Sequence, residues 1–274
     1  MAKKAPQKTS SVKKMTTDGL PAPIDRKYKN NFLKQVIARV DFAAPISALR
    51  EGPPKRIITA LKKQFPVPEQ KIQILDHVHV TASEVQRSKQ ETLQWFYHSK
   101  ERDKRVCVAA DAMYVEYFKY NSFEDLKRDF LAVSDALFAE FSDLQVRRLG
   151  LRYINNIEFP DEQDPTDWNN YLDDPLLASF KLADNRSTIS RSFHVLEFNY
   201  GDTNMRFQYG MPNPDYPAPI RKKLFTLDHD AYCTLLLGRD ELEKHLKDFH
   251  DRIKTSFEQV ITNGLRDAMG LIND

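Results

Sequence analysis

Arg148, Gly150 and Arg152 form the pattern in this sequence that is best suited to binding chemistry. Alternation of side chains along a β-strand would place all three residues on one face of a sheet. A guanidinium on a central strand is costly to bury unless it pairs with a carboxylate or faces a ligand. Two interpretations follow: an ion-paired strut between the two halves of the chain, or a pocket for a phosphate or carboxylate anion. Tyr153 and Asn155 continue the same segment and complete the candidate site.

Further cations accompany this segment, namely Arg147 and the run Arg221, Lys222 and Lys223. They flank stretches in which tyrosine and phenylalanine recur close together. Cations beside exposed rings suit single-stranded nucleic acid, because rings stack on bases and cations pair with phosphates. In the other interpretation the rings form a half-buried sheet and the cations keep its edges soluble. RNA or single-stranded DNA is therefore an alternative partner.

Two histidine patterns are suited to metal binding or catalysis. His77 and His79 would share one side of a strand, but a metal needs further ligands, and no cluster elsewhere has matching spacing. In the sequence Asp228, His229, Asp230 an aspartate could orient the histidine as a general base. No nucleophile motif of the Gly-x-Ser-x-Gly type accompanies it. We therefore expect no metal and no catalytic residue, and a hydrolase that uses a histidine is the last of the alternatives.

Composition narrows the functional class. The 41 lysines and arginines nearly balance the 39 aspartates and glutamates, so the chain as a whole is not steered towards nucleic acid or anionic lipid. Neither a dinucleotide-binding nor a P-loop glycine motif is present, and we predict no cofactor. No apolar run approaches the roughly 18 residues that a membrane span needs. Cys107 and Cys233 lie in apolar runs, which is typical of buried thiols in a reducing compartment and predicts a cytoplasmic protein.

The elements that must position these residues follow a repeated order. Residues 1–25 are rich in Lys, Ser, Thr and Pro and predict a disordered basic tail. Residues 26–146 and 147–274 each predict a strand, a helix, three strands and a long helix. The halves match without a gap at Asp111 with Asp230, Ala112 with Ala231, Asp129 with Asp248, Phe130 with Phe249 and Phe138 with Phe257. The prediction is an α+β fold made by tandem duplication, with antiparallel sheets and helices on one face.

The last predicted helix has the strongest apolar stripe. Its apolar residues recur at helical spacing from Leu242 to Met269, over about 28 residues or about 42 Å. Such a helix is long enough to cross a sheet and reach a second subunit. It predicts a homodimer formed through the C-terminal helix.

Several segments carry a resemblance to a known family, the most specific being the Arg-x-Gly-x-Arg-Tyr-x-Asn core from Arg148 to Asn155. The others are Tyr28–Phe42, Pro175–Leu177, His250 and Phe257–Glu258. The chain resembles a family of uncharacterised bacterial and archaeal proteins of similar length, noted for sporadic distribution among genomes. The resemblance implies no established activity. Genes on mobile elements and in phage-defence clusters also show a patchy distribution among genomes. The resemblance therefore implies that the protein is an accessory component of such a system.

These observations predict a non-enzymatic binding protein that recognises a protein partner. The absence of a catalytic motif and the amphipathic terminal helix both favour it. The alternatives are a nucleic-acid-binding protein and, last, a hydrolase.

Overall fold

The computed structural model describes residues 26–80, 85–160 and 164–272. The predicted basic tail, residues 1–25, lies outside the described residues. The strands are β1 (Lys27–Tyr28), β2 (Leu33–Phe42), β3 (Val67–Val80), β4 (Val85–His98), β5 (Lys104–Ala109), β6 (Ala112–Tyr117), β7 (Val146–Glu158), β8 (His194–Asn199), β9 (Asn204–Gly210), β10 (Leu224–Cys233) and β11 (Leu271–Ile272). The α-helices are α1 (Lys55–Leu61), α2 (Phe123–Glu140), α3 (Asp174–Leu177), α4 (Arg239–Val260) and α5 (Asn263–Met269). Short 3-10 helices lie at Ser47–Arg50, Ala178–Leu182 and Arg186–Thr188.

The described residues build an antiparallel sheet of nine strands in the order β3-β4-β5-β6-β2-β7-β10-β9-β8. The central strands β2 and β7 pair with each other, so both halves of the chain contribute to one sheet. A second, two-stranded sheet pairs β1 with β11. The α+β fold with antiparallel sheets is confirmed.

Alternation along β2 shows how the sheet is covered. Val36, Ala38 and Val40 are buried on one side, where they pack in the same cluster as helix residues such as Phe130 of α2 and Phe249 of α4. We call this side the helix-covered face. The intervening residues of β2 are charged or only partly buried and lie on the other side, which we call the open face. Because the helices cover only one face of the sheet, the polar and charged side chains of the strands lie on the open face.

A second core covers the far half of the same face. It surrounds Trp168, whose ring contacts Phe225 edge-on at 5.3 Å between centroids. α3, the following 3-10 helix and α5 contribute Leu176, Leu177, Phe180, Leu265 and Met269. The helix-covered face is therefore shielded from water over the central strands, because both cores pack against them.

Three element predictions are corrected. The apolar run from Val106 to Lys119 predicts one of the three strands of the first half, but it forms a hairpin, β5 and β6. The first half therefore has four strands between its helices. The first helix of the second half is predicted from the sequence over about Trp168 to Leu182, but α3 begins only at Asp174, with proline in its first turn. The final helix ends at Val260 because the backbone there turns to pair with residues 171–173, and α5 follows separately.

Duplication stays a prediction. Apart from the additional strand β3, the strand order is symmetric about the β2–β7 pair. The ungapped match, however, does not hold in the strands. Ala112 pairs with Asp41 on the open face, whereas its predicted counterpart Ala231 pairs with Leu151 on the helix-covered face. The predicted boundary at residue 147 also stays a prediction, since the first core draws on both halves.

Among the described residues, no helix is both long enough and apolar enough to cross a membrane.

Candidate functional site

A cleft of about 670 Å³ opens on the open face, over the central strands. We call it the open-face cleft. Its lining includes five cationic and three anionic side chains, together with two aromatic rings. The lining residues are Ile37, Arg39, Asp41, Lys71, Gln94, Phe96, Arg105, Tyr114, Glu116, Arg148, Gly150, Arg152 and Asp230. Cations outnumber carboxylates on the surface that a ligand would meet.

Gly150 lies at the floor of this cleft. Arg148 and Arg152 stand two residues away on either side along β7, and Arg39 is its partner across the pair with β2. A Cβ atom at position 150 would lie 2.9 Å from Nη1 of Arg148. The glycine therefore provides the space in which the Arg148 guanidinium lies, and three arginines surround one position that has no side chain.

Carboxylates hold two of these arginines in place. Arg152 donates from Nε and Nη2 to the two oxygens of Asp228, at 2.8 and 2.6 Å. Arg39 donates from Nε to Oδ1 of Asp41 at 2.7 Å. A bidentate pair uses two of the five N–H donors of a guanidinium and leaves the others for a ligand.

Arg148 is held less tightly. Its Nη2 lies 3.3 Å from Asp230 Oδ2 and its Nη1 lies 3.8 Å from Asp41 Oδ2. Its guanidinium also lies 4.8 Å from the ring centroid of Tyr232. Asp41 belongs to the first half of the chain and Arg148 to the second. The two interpretations of the sequence are thus compatible, because the arginines both link the halves and line a cleft.

The other end of the cleft is built around Glu116, which is buried. Arg105 and Gln35 both donate to its carboxylate. The Arg105 guanidinium lies 4.7 Å from the ring centroid of Phe96, and Lys71 Nζ lies 5.3 Å from the same centroid on the neighbouring strands. Cation–π contact and ion pairing together fix these side chains in position.

Burial changes the acid strength of several groups in and near the cleft. It raises the pKa of the Asp230 carboxyl, although Arg148 and Arg152 act in the opposite direction. Burial also raises the pKa of the Cys107 thiol to about 12, which keeps this cysteine protonated and unreactive at neutral pH. Both Cys107 and Cys233 are free and buried.

Two predicted site residues lie on the opposite face. Tyr153 is buried on the helix-covered face, where its hydroxyl is 2.9 Å from the hydroxyl of Tyr120 and 2.9 Å from Nδ1 of His250. Asn155 is buried on the same face. The motif from Arg148 to Asn155 therefore splits: its arginines line the cleft, and its tyrosine and asparagine belong to the core.

The remaining predicted cations do not join the cleft. Arg147 is exposed outside the lining. Arg221 and Lys222 are exposed ahead of β10, whose first residue pairs with Glu158 at the far end of β7. Lys223 is buried, and its Nζ donates to the carbonyl oxygens of Asp164 at 3.2 Å and Asp167 at 2.5 Å. It anchors a loop, so the predicted basic run does not act as one binding surface.

The Asp228, His229, Asp230 pattern does not form an oriented base. His229 is fully buried on the helix-covered face, 3.1 Å from Ser256 Oγ and stacked on Phe207 at 4.2 Å between centroids. Both aspartates point to the open face, because successive side chains of a strand alternate. Burial lowers the pKa of His229 to about 3, which keeps it neutral.

The side chains of His77 and His79 lie outside the described residues. Among the side chains that the structure does describe, no group of three or more His, Cys, Asp or Glu is arranged to hold a metal ion.

Sequence reasoning missed Arg39, Asp41, Arg105 and Glu116. A usable signal exists for three of them, because Arg39, Asp41 and Glu116 each stand between two buried apolar or aromatic residues of a strand, whereas Arg105 follows Lys104. In a sheet with one dry face, such charges must share the opposite face. What the sequence does not give is which strands are neighbours.

The edge strand β8 is a second distinctive surface. It pairs with β9 on one side, and no strand of the described residues pairs with its other side. Its side chains Val195 and Leu196 are 48% and 47% exposed, and the preceding Phe193 is 64% exposed. Leu182 and Tyr216 are exposed close by, next to Arg191 and a shallow depression beside Phe193. Exposed apolar residues are unusual at an unpaired sheet edge.

Comparison of the chain with models of known protein families gives no match, and comparison with curated proteins gives none either. The family resemblance therefore stays a prediction.

Proposed function

We propose that this protein is a non-enzymatic binding protein whose protein partner adds an extended segment to the edge strand β8. The observation that carries the proposal is an edge strand with apolar side chains exposed and with one side unpaired in the described residues. Strand addition to a sheet edge is a recurring mode of peptide recognition, in which main-chain hydrogen bonds give affinity and alternate side chains give specificity.

The backbone of β8 supports this mode. Ser192 N donates to Met211 O at 3.2 Å and Tyr200 N donates to Thr203 O at 2.8 Å, so even-numbered residues hydrogen-bond towards β9. In an antiparallel pair the residues between them turn their N–H and C=O groups the other way. Phe193, Val195 and Glu197 thus direct backbone donors and acceptors outward.

The usual protections of a sheet edge are sparse here. Natural edges carry lysines, prolines or bulges that block further pairing. β8 contains one acidic residue, Glu197, and no lysine or proline, and its pairing with β9 runs without a bulge. The partner that fits is an extended segment with apolar side chains at alternate positions.

Substitution of Val195 tests the proposal. Val195→Pro removes an outward N–H without removing a hydrogen bond to β9, and Val195→Thr is the matched control because it keeps the N–H and the branched shape. Quantitative affinity capture from host extract should recover a stoichiometric protein with the unmodified chain and with Val195→Thr, and at least tenfold less with Val195→Pro. Equal recovery with all three chains would contradict strand addition, provided that their melting temperatures agree.

A homodimer is the second form of this proposal. The apolar stripe of α4 that predicted it, including Leu242, Leu246 and Ile253, packs on the chain's own sheet. α4 has 22 residues, about 33 Å, and gives no reason for a helix-mediated dimer. In this form of the proposal a second copy pairs at β8, and light scattering that shows a dimer lost in Val195→Pro would identify that copy as the partner.

The other predictions are kept as proposals of lower rank. Nucleic-acid binding is supported by the cations of the open-face cleft but not by a continuous basic surface. A cytoplasmic location is supported by two free, buried cysteines. Membership of a mobile-element or phage-defence system depends on the resemblance, and the neighbouring genes would test it. The hydrolase alternative loses its support, since His229 lies in the core.

A further inference from the structure

We propose that the open-face cleft binds a small oligophosphate, meaning a ligand with two or three linked phosphoryl groups, above Gly150. This site is independent of the partner proposed for β8. It lies over the central strands β2 and β7, whereas β8 is at the edge of the sheet.

The arrangement of cations carries the inference. Arg148 and Arg152 each stand two residues from Gly150 along β7, which is about 7 Å between backbones. Arg39 stands opposite Gly150 on β2, at the usual separation of about 5 Å between neighbouring strands. A guanidinium fork matches either a carboxylate or a phosphate. One carboxylate satisfies one fork. The Arg148 guanidinium lies over Gly150, between Arg39 and Arg152, and a ligand that binds all three forks must offer several acceptor oxygens and more than one negative charge.

The ion pairs of the cleft fit the same ligand. The Asp228 carboxylate is buried and orients Arg152 from the side, so the other donors of this guanidinium remain for a ligand. Arg148 makes its longer contacts to Asp41 and Asp230, which lets it turn towards an anion at small cost. A ligand of higher charge than a single carboxylate competes well for such a loosely held arginine.

Size favours a small molecule over a polymer. The cleft volume of about 670 Å³ falls in the range of small-molecule sites, roughly 300–1,000 Å³. A nucleic-acid strand would need a continuous cationic path. The exposed Arg206 lies two strands from Arg152, but it pairs with Glu197 at 3.6 Å. Arg221 and Lys222 lie beyond the far end of β7, eight residues or about 26 Å from Gly150, so the cations do not form one continuous path.

Calorimetric titration with inorganic tripolyphosphate at low ionic strength tests the site in the full chain. Arg148→Gln removes one fork. Gly150→Val fills the floor of the cleft and displaces the Arg148 guanidinium, since a Cβ atom there would lie 2.9 Å from Nη1 of Arg148. We expect each variant to remain folded, with at most a small decrease in melting temperature, and to weaken tripolyphosphate binding at least tenfold. Arg221→Gln is the matched control, because it removes an exposed arginine outside the cleft, and its affinity should equal that of the unmodified chain.

Three results would overturn the proposal. The first is no measurable binding of tripolyphosphate to the unmodified chain. The second is binding of citrate, a tricarboxylate, as tight as that of tripolyphosphate, which would assign the cleft to carboxylates. The third is tighter binding of a single-stranded oligonucleotide that Arg221→Gln weakens, which would assign an extended nucleic-acid surface. None of these results bears on Val195→Pro, so this proposal and the strand-addition proposal can fail separately.

Discussion

The two faces of strand β7 are built from neighbouring residues and yet differ in burial, charge and exposure to solvent. Leu149, Leu151 and Tyr153 are buried under the helices, while Arg148 and Arg152 line a cleft open to solvent. Strand alternation alone produces this division. The comparison shows that one short segment can supply both the core and the binding site, with no residue serving both.

The faces also control charge by different means. On the helix-covered face burial keeps histidines neutral, lowering the pKa of His229 to about 3 and that of His250 to about 4. On the open face the charges persist because carboxylates and guanidiniums pair, as in Arg152 with Asp228. Low pH should therefore destabilise the packing on the helix-covered face, and removal of a single charged side chain should destabilise the ion pairs on the open face.

The largest effect is expected from Leu151→Ala. Leu151 is fully buried between Gly150 and Arg152, so truncation should lower the free energy of unfolding by about 2–5 kcal/mol. Chemical denaturation measures this change. The folded fraction should still bind tripolyphosphate with unchanged affinity. A loss of affinity without loss of stability would contradict the division between the faces.

The next largest effect concerns pH and His229. The unfolded imidazole takes up a proton near pH 6.5, but the buried one does so only near pH 3. Stability from this residue is therefore complete above pH 6.5 and is lost as the pH falls from 6.5 towards 3. Unfolding followed across this range should show the decline, and His229→Phe, which keeps the stacking on Phe207, should make it shallower. An unchanged slope in His229→Phe would show that other groups carry the acid sensitivity.

A smaller effect is expected on the open face from Arg152→Gln. The change leaves the buried Asp228 carboxylate without its bidentate partner, but Arg152 is partly exposed, so we expect a loss of about 1–2 kcal/mol. The double variant Arg152→Gln with Asp228→Asn should recover part of that loss. Additive effects in this cycle would mean that the ion pair contributes no coupling energy.

The smallest effect is expected from Tyr153→Phe. The tyrosine hydroxyl bridges Tyr120 and His250, and its removal should cost about 1 kcal/mol. Tripolyphosphate binding should not change, because Tyr153 faces away from the cleft. Weaker binding in this variant would return Tyr153 to the site that the sequence assigned to it.

Much of the fold follows from local pattern. The α+β class agrees with the sequence, and α2 begins after Ser122, whose side chain accepts a hydrogen bond from Asp125 N. Strand alternation, helical spacing and capping act over a few residues and are therefore visible in sequence. The break between α4 and α5 could not be predicted. It depends on hydrogen bonds from residues 260–262 to residues 171–173, which are remote in sequence.

The candidate site also combines features that local pattern predicts with features that depend on long-range contacts. Strand alternation alone predicts that Arg148 and Arg152 share one face, because they stand four residues apart in the same strand. Arg221 and Lys222 were grouped with them because runs of charge are visible in sequence, although the register of β10 places that run at the far end of β7. Proximity in three dimensions depends on strand order, and strand order is a long-range property.

By itself the sequence determined the alternation of each strand, the amphipathic helices and the presence of an arginine pair around Gly150, because these depend on backbone geometry and nearest neighbours. Only the tertiary structure decided which strands meet, and hence that Arg39 and Asp41 join Arg148 in a cleft while Tyr153 and His229 are buried behind it. The reason is physical. Because helices cover one face of the sheet, the strand side chains that point to that face become the core, and the order in which the strands pair brings charged residues that are distant in sequence together on the open face.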